Sequence, residues 1–424
     1  MDIANLLTTV ISFLVVLSIL ALVHEIGHFI FARRFGVRVE EFGLGLPPRA
    51  KTLWREHGMI QIQSKKIQIP RKFVVPDAIQ PGSWVIYKTE MVNGKDTLTA
   101  IDPVDAESRG LTAASQVQDL DRGTIYSLNW LPIGGFVRMT GEENPSDPRS
   151  FAAAAPWKRA VILCAGVTMN FLLAVLIFAT IAMVGMPKPI ELVSITAVSP
   201  NSPAASAGLK AGDRLLSING TTVQNRLDVS RAAFDTGGQQ ITLEVKRGVD
   251  NVVVNLTPRV KPPANEGPIG ITMGAQLLRM ETVSYPIWEA IPLGFSQAID
   301  TAGQIAGGFS RIARVGVSPG DVGGPIQIAE ITGQAAQAGL LTLMQFTALL
   351  SVNLAILNIL PLPALDGGRL VFVVLEMLRR GKRISPQKEG MVHIVGMAIL
   401  LILMVLISIN DVGRIIGRFF PGGG

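Results

Sequence analysis

The chain has 424 residues, of which 48% are hydrophobic and 17% are charged, and its mean hydropathy is +0.40. These values favour several membrane-spanning helices over one large soluble core. Cys164 is the single cysteine, which excludes an intrachain disulfide and a cysteine-based zinc site. The net charge of +6 does not indicate a nucleic-acid partner, because the basic residues cluster beside apolar runs, where membrane topology explains them.

The first predicted element is an apolar helix over about 6–31, with no charged residue between Asp2 and His24. This run is long enough to cross a bilayer, which needs about 20 residues. A secretory signal peptide fits poorly, because no basic residues follow Met1 and the apolar run is too long. We predict that 1–34 form the first transmembrane helix.

The end of this helix carries His24, Glu25 and His28 in the sequence HEIGH. Two histidines four residues apart share one helix face, with Cβ atoms about 5–6 Å apart. Both can therefore bind one Zn²⁺, with the glutamate beside them as a general base. The alternative is a chance match on a soluble helix. Ionisable residues inside a membrane are candidates for functional sites. A bound metal would explain why His24, Glu25 and His28 all occur in this span.

The next element is a long loop, 35–157, which we place on the cytoplasmic side because basic residues flank the spans at both of its ends. Near its start lies FGLGLPPR at 42–49, and near its end lies LPIGGFVRM at 131–139. The part between, about 58–122, contains strand-like patterns such as WVIYKTEMV but no motif that indicates chemistry.

A second transmembrane helix, 158–187, leads into a smaller α/β domain predicted over 188–275. In this domain AGLKAGDRLLSING, at 207–220, resembles the most recognisable stretch of PDZ domains. The alternating patterns ITLEVKRG and NVVVNLTP after it indicate a hairpin. The alternative is a generic small α+β domain. Residues 276–340 are predicted to be a partly helical linker with Gly-Gly breaks.

The third transmembrane helix, 341–368, ends in NILPLPALDGG. A basic, amphipathic cytoplasmic segment follows at 369–390, and 391–424 form the fourth transmembrane helix and a tail. Because basic residues mark the cytoplasmic side, both termini and 188–340 are predicted to lie outside the cytoplasm.

A hydrolytic zinc site needs a third protein ligand and an open position. Asp366 is the best candidate, because it follows the third span at the same membrane face as the two histidines. Pro361 and Pro363 break the helix before it, and the two glycines after it let backbone approach closely. The next candidates for the third ligand are Glu40 and Glu41. The two remaining histidines, His57 and His393, are less suitable.

Together, HEIGH in a first span, a PDZ-like module and NILPLPALDGG after a third span resemble the site-2 intramembrane metalloproteases. The resemblance is closest to the bacterial type that cleaves anti-sigma factors. It implies that His24, His28 and Asp366 bind zinc and that Glu25 activates water. The segments that also match the family pattern are FGLGLPPR, LPIGGFVRM, GVTMNFLLA (166–174) and GGPIQIAE (323–330).

The resemblance also implies how substrate is held. Asn358 would bind the substrate backbone, and FGLGLPP would form a membrane-dipping hairpin whose edge strand pairs with an unwound substrate. The predicted substrate-binding residues are Gly43, Gly45, Asn358, Pro361 and Pro363. Two departures stand out: about 80 residues separate FGLGLPPR from LPIGGFVRM, which makes 58–122 an unusual insertion, and only one PDZ-like module is present where some relatives have two.

We therefore expect a polytopic α-helical protein of the inner (cytoplasmic) membrane, with about four transmembrane helices and an inserted extracytoplasmic PDZ-like α/β domain. Its zinc site would lie near the cytoplasmic face. It would cleave spans of single-pass membrane proteins, such as anti-sigma factors or signal-peptide remnants, with the lipid bilayer as its other partner. A catalytically silent scaffold or chaperone and a transporter are the alternatives. The intact HEIGH with Asp366 argues against the scaffold, and the absence of repeated halves argues against the transporter. No oligomeric state is predicted.

Overall fold

The computed structural model describes 3–104, 114–142, 145, 147–236, 238–263, 266–316 and 323–419. The chain forms two compact units, one made of Met1–Ile181 with Ala290–Gly424 and the other of Ala182–Glu289. Within the described residues, four helices are long and apolar enough to cross a membrane, as predicted. They are α1 (Ile3–Arg34), α2 (Pro156–Val184), α7 (Leu340–Ile359) and α9 (Pro386–Phe419).

The described residues form three further long helices: α5 (Ile287–Val315), α6 (Pro325–Gln337) and α8 (Asp366–Leu378). The Gly-Gly pair at 307–308 does not interrupt α5, although the sequence predicted breaks at such pairs; the pair at 323–324 does precede α6. Helix α5 stays continuous beside α2, where Ala298 and Ala302 pack into a shared apolar cluster.

The third span ends where the sequence predicted a break. Helix α7 ends at Ile359, because Pro361 and Pro363 occupy the following turn and cannot supply helical N–H groups, so the predicted segment 341–368 contains the helix and this turn. The chain then restarts as a helix at Asp366, which lies in the first turn of α8.

Two long strands, β1 (Val39–Arg55) and β7 (Ile125–Met139), form one interleaved sheet. The first half of β1 pairs on one side with 135–139 and on the other side with 125–128, and its second half pairs with 125–129. The backbone edges of 41–44 are therefore both occupied, which makes this part of FGLGLPPR an inner strand.

The insertion between these two strands is a closed barrel. Its strands are β2 (Gly58–Ile62), β3 (Lys65–Ile69), β4 (Trp84–Val92), β5 (Lys95–Pro103) and β6 (Ser115–Asp121), in the order β2-β3-β5-β4-β6. Alternate isoleucines of β2 and β3 point inward and are fully buried. Val85 of β4 and Leu98 of β5 are buried in the same core. The barrel therefore has its own apolar core, and the 80-residue separation leaves β1 and β7 paired.

The described residues of the second unit form a six-stranded sheet and two helices. Its elements are β8 (Met186–Val198), α3 (Pro203–Ser206), β9 (Arg214–Ile218), β10 (Thr221–Thr222), α4 (Arg226–Asp235), β11 (Ile241–Arg247), β12 (Asp250–Leu256) and β13 (Ile271–Val283). The sheet order is β12-β11-β9-β8-β13, with β10 beside β9. The unit extends beyond the predicted 188–275, because β13 pairs with β8 as far as Val283 opposite Met186.

Candidate active site

Three potential metal ligands converge where α1 meets the start of α8. The Nε2 atoms of His24 and His28 are 3.0 Å apart, and the Oδ2 atom of Asp366 lies 2.8 Å from the first and 3.2 Å from the second. In the described part of the chain this is the one group of three such residues found. Ligand atoms around a tetrahedral zinc ion are about 3.3 Å apart, so small outward shifts bring these three to zinc-binding distances.

The hydrogen bonds behind the two imidazoles support this arrangement. Nδ1 of His28 donates to the carbonyl oxygen of Ile162 at 2.8 Å, which leaves Nε2 with a free lone pair. Nδ1 of His24 lies 3.3 Å from the Nδ2 atom of Asn170, whose Oδ1 atom is buried without a partner. Rotating this amide by half a turn lets Oδ1 accept a hydrogen bond from Nδ1–H of His24. Both histidines then present Nε2 to a metal, so the residues fit zinc.

Helix α2 passes very close to the two imidazoles. A Cβ atom on Gly166 would lie 2.6 Å from Nε2 of His28 and 2.7 Å from Nε2 of His24, so only glycine leaves room for the ligands. Sequence reasoning singled out GVTMNFLLA without assigning a role to either Gly166 or Asn170. The available signal was an asparagine inside an apolar span, one turn after a glycine.

Glu25 is held by the interleaved sheet. Its Oε2 atom accepts a hydrogen bond from the backbone N–H of Val137, in β7, at 3.0 Å. The segment LPIGGFVRM thus contacts Glu25, the candidate base, through its backbone rather than through a side chain. Because backbone contacts leave little trace in the sequence, this role was not predicted.

The turn that precedes Asp366 is tightly packed. Added Cβ atoms would lie 2.1 Å from the carbonyl oxygen of Leu360 at Gly367, and 2.3 Å from that of Leu362 at Gly368. On the other side of the turn, the N–H of Ala364 donates to Nδ1 of His393 at 3.0 Å. The predicted substrate-binding residues Asn358, Pro361 and Pro363 lie at or beside this turn, and Asn358 is buried at the end of α7.

The alternative metal ligands are not part of the group. Glu41 is buried in the sheet, where its carboxylate accepts hydrogen bonds from Arg49 at 2.5 Å and from Ser127 at 2.6 Å. Burial alone would raise the pKa of Glu41, but these hydrogen bonds outweigh it and hold that pKa below its ordinary value. The neighbouring Glu40 and the distant His57 are exposed, and His393 is bonded to the turn instead.

The first residues of FGLGLPP, 42–44, do not form the predicted edge strand. Residues 41–44 are paired on both sides, so Gly43 has no free backbone edge for a substrate. Gly43 is needed for packing, because a Cβ atom there would lie 2.3 Å from the Phe136 ring. Gly45 has a φ of +80°, which fits a glycine at the bend before the second half of β1. The outer strands of the sheet are instead 135–139 and 49–55.

Comparisons with known proteins agree with this chemistry. The sequence model of Peptidase family M50 matches 12–61 and 112–403. The zinc metalloprotease RasP of Oceanobacillus iheyensis is 29% identical, over 96% of this chain and all of that protein. The regulator of sigma-W protease RasP of Bacillus subtilis is 28% identical, over 96% of this chain and 99% of that protein. A putative zinc metalloprotease of Clostridium perfringens is 32% identical, over 94% and 97% respectively.

The membrane helices and the zinc-compatible group thus define a membrane-embedded metalloprotease. The chain belongs to Peptidase family M50, the site-2 proteases. It is a zinc-dependent intramembrane protease. Most of the barrel is not part of the family match, because it falls in 62–111, which the family model leaves unmatched.

Proposed function

We propose that His24, His28 and Asp366 hold the catalytic zinc ion and that Glu25 is the general base. The observation that carries this proposal is the convergence of the three ligand atoms within 3.2 Å of one another. When bound, zinc lowers the pKa of water and polarises the scissile carbonyl group. Glu25 takes the proton of the attacking water and passes it to the leaving amine. The Val137 N–H fixes one carboxylate oxygen and leaves the other to accept that proton.

The substrate is a helical span that has to unwind locally before cleavage, because a helix hides its peptide bonds in internal hydrogen bonds. We propose that Asn358 and the turn with Pro361 and Pro363 hold the unwound backbone. The position of these residues supports this role, because the turn leads directly into Asp366. In the sheet, the outer strand 135–139 replaces FGLGLPP as the candidate partner, because its Val137 contacts Glu25.

The proposed substrates are single-pass proteins of the cytoplasmic membrane, of the anti-sigma-factor type or signal-peptide remnants. The Bacillus subtilis relative is named a regulator of sigma-W protease, which supports the first class. The basic residues beside the spans support a zinc site near the cytoplasmic face. A silent scaffold is disfavoured, because it would not need the complete set of ligands and base.

We further propose that the second unit is an extracytoplasmic PDZ-like domain that restricts which substrates enter. AGLKAGDRLLSING supports the likeness; it runs from the end of α3 through β9. Strand β13 is at the edge of the sheet, which is the kind of strand to which such domains add a peptide.

The test of the catalytic proposal is Glu25→Gln, which keeps the shape of the side chain but cannot accept the proton. Purified protein is mixed with a reporter span, and both cleavage and bound zinc are measured. Cleavage should fall about 10²–10⁴-fold while zinc is retained. Near-normal turnover in a variant that still binds zinc would reject Glu25 as the base.

A further inference from the structure

A cavity of about 250 Å³ lies between the barrel and the interleaved sheet, and nothing in the proteolytic chemistry uses it. Its charged lining contains five arginines and four acidic residues, and the acidic ones are Glu40, Glu41, Asp77 and Asp121. The five arginines are Arg38, Arg49, Arg55, Arg122 and Arg138.

Most of these arginines are already engaged. Arg49 and Arg138 face the carboxylate of Glu41, at 2.5 Å and 3.8 Å. Arg38 pairs with carboxylates of the barrel and of the loop before α2, the closer ones at 2.8 Å and 2.9 Å. The remaining two, Arg55 and Arg122, have the weakest pairing with carboxylates among the described residues.

Arg122 is held in place by the insertion. Its Nη2 atom donates to the carbonyl oxygens of Pro76 at 3.1 Å and Ile79 at 2.9 Å, both in the part of the chain that the family model leaves unmatched. Its Nε atom is buried and has no hydrogen-bond partner. The nearest carboxylate, that of fully exposed Asp77, is 4.0 Å away.

Arg55 is half-buried at the end of β1, and its guanidinium has no hydrogen bond or ion pair with any residue that the structure describes. Burial and the neighbouring charges of Arg49 and Arg122 lower the pKa of Arg55. Like charges at close range repel each other, so an anion bound beside Arg55 would stabilise its guanidinium.

We propose that this cavity binds a phosphate-class anion through Arg55 and Arg122. A guanidinium presents paired N–H donors that match two phosphate oxygens. The cavity is also close to the membrane surface, because α1 ends at Arg34 and the lining begins at Arg38. Four residues span at most about 14 Å. The bound phosphate group therefore belongs either to a lipid headgroup or to an anion free in solution.

The experiment uses the purified full-length protein in a neutral detergent and follows its Tm. One arm adds inorganic phosphate against chloride at equal ionic strength, and the other adds phosphatidylglycerol against phosphatidylcholine. The variants are Arg55→Gln and, as a matched control on the barrel surface, Arg71→Gln, since Arg71 is exposed and away from the cavity.

In the wild-type protein, phosphate or phosphatidylglycerol should raise Tm in a saturable way. Arg55→Gln should need about 10- to 100-fold more ligand for half of the effect, as expected for a lost charge-assisted hydrogen bond, and Arg71→Gln should behave as wild type. A response to the lipid alone identifies a headgroup, and a response to inorganic phosphate with no added effect of the lipid identifies a free anion.

The proposal is overturned if neither ligand raises the wild-type Tm above its chloride or phosphatidylcholine control. It is equally overturned if Arg55→Gln responds at the same concentration as wild type. If Arg55→Gln does not fold, Arg55→Lys is used instead, because it keeps the charge but loses the paired N–H donors of the guanidinium. An unchanged half-saturating ligand concentration in Arg55→Lys would also overturn the proposal. These readouts do not depend on proteolysis.

Discussion

At the scale of single residues, the convergence of three potential metal ligands was predicted and their surroundings were not. HEIGH fixes two histidines on one helix face, and the Pro-rich turn before Asp366 indicated a third ligand. Gly166 and Asn170 escaped prediction because their importance depends on how closely α2 crosses α1. That distance follows from packing between helices, which a pattern along one helix does not encode.

Asn170 gives a prediction at this scale. Asn170→Ala removes the amide beside Nδ1 of His24, so that the imidazole loses the partner that orients it. Loss of such a partner lowers metal affinity or activity about 10- to 100-fold. Zinc affinity is measured by competition with a chelator, and Thr168→Ala, on the exposed side of the same helix, is the control. Equal zinc affinity in Asn170→Ala and wild type would remove Asn170 from this role.

At the scale of elements, the four spans were visible in hydropathy, but the pairing of β1 with β7 was not. The two strands are separated by the barrel, and each contributes two segments to one sheet. Alternation of isoleucines in MIQI and KIQI indicates strands with one buried face. It does not determine the order in which five strands close, because that order depends on contacts distant in sequence.

The position of α8, and with it Asp366, depends on a buried ion pair. Nη2 of Arg159, at the start of α2, donates to Oε2 of Glu376 on α8 at 2.5 Å, and both side chains are less than 10% exposed. Glu376→Gln leaves the arginine charge buried and uncompensated. Breaking a buried pair in this way costs about 3–5 kcal/mol.

We expect Glu376→Gln to lower both the unfolding temperature and the zinc affinity, because α8 carries a ligand. The control is Asp96→Asn, which breaks the partly exposed pair of Lys65 and Asp96 and should cost less than about 1 kcal/mol. Thermal unfolding with and without added zinc compares them. If Glu376→Gln were as stable as Asp96→Asn, the pair would not hold α8 in place.

At the scale of the whole molecule, the second unit is built as a separable insertion. Its two ends meet, because the N–H of Tyr285 donates to the carbonyl oxygen of Ala182 at 3.0 Å. Met186–Val283 can therefore be removed and the chain rejoined by a short linker. The sequence indicated this domain but placed its end at 275, because the last strand continues without a clear change of composition.

Deleting Met186–Val283 tests whether the unit limits access. If it excludes substrates with large outer domains, the deletion variant should cleave a full-length substrate that the intact enzyme leaves uncut. Both proteins are tested with one substrate in full-length and pre-trimmed forms, with products followed on a gel. Cleavage of the trimmed form alone, at an unchanged rate, would argue against a filter, and slower cleavage of that form would indicate recruitment instead.

The proposed mechanism requires one zinc ion bound by His24, His28 and Asp366, so the zinc content of the purified protein is its most direct test. Wild type should contain about one zinc per chain, and His24→Ala and Asp366→Ala should each lose most of it. The matched controls His57→Ala and Asp77→Ala, both at exposed positions, should retain it. Full zinc content in Asp366→Ala would contradict the ligand set proposed here.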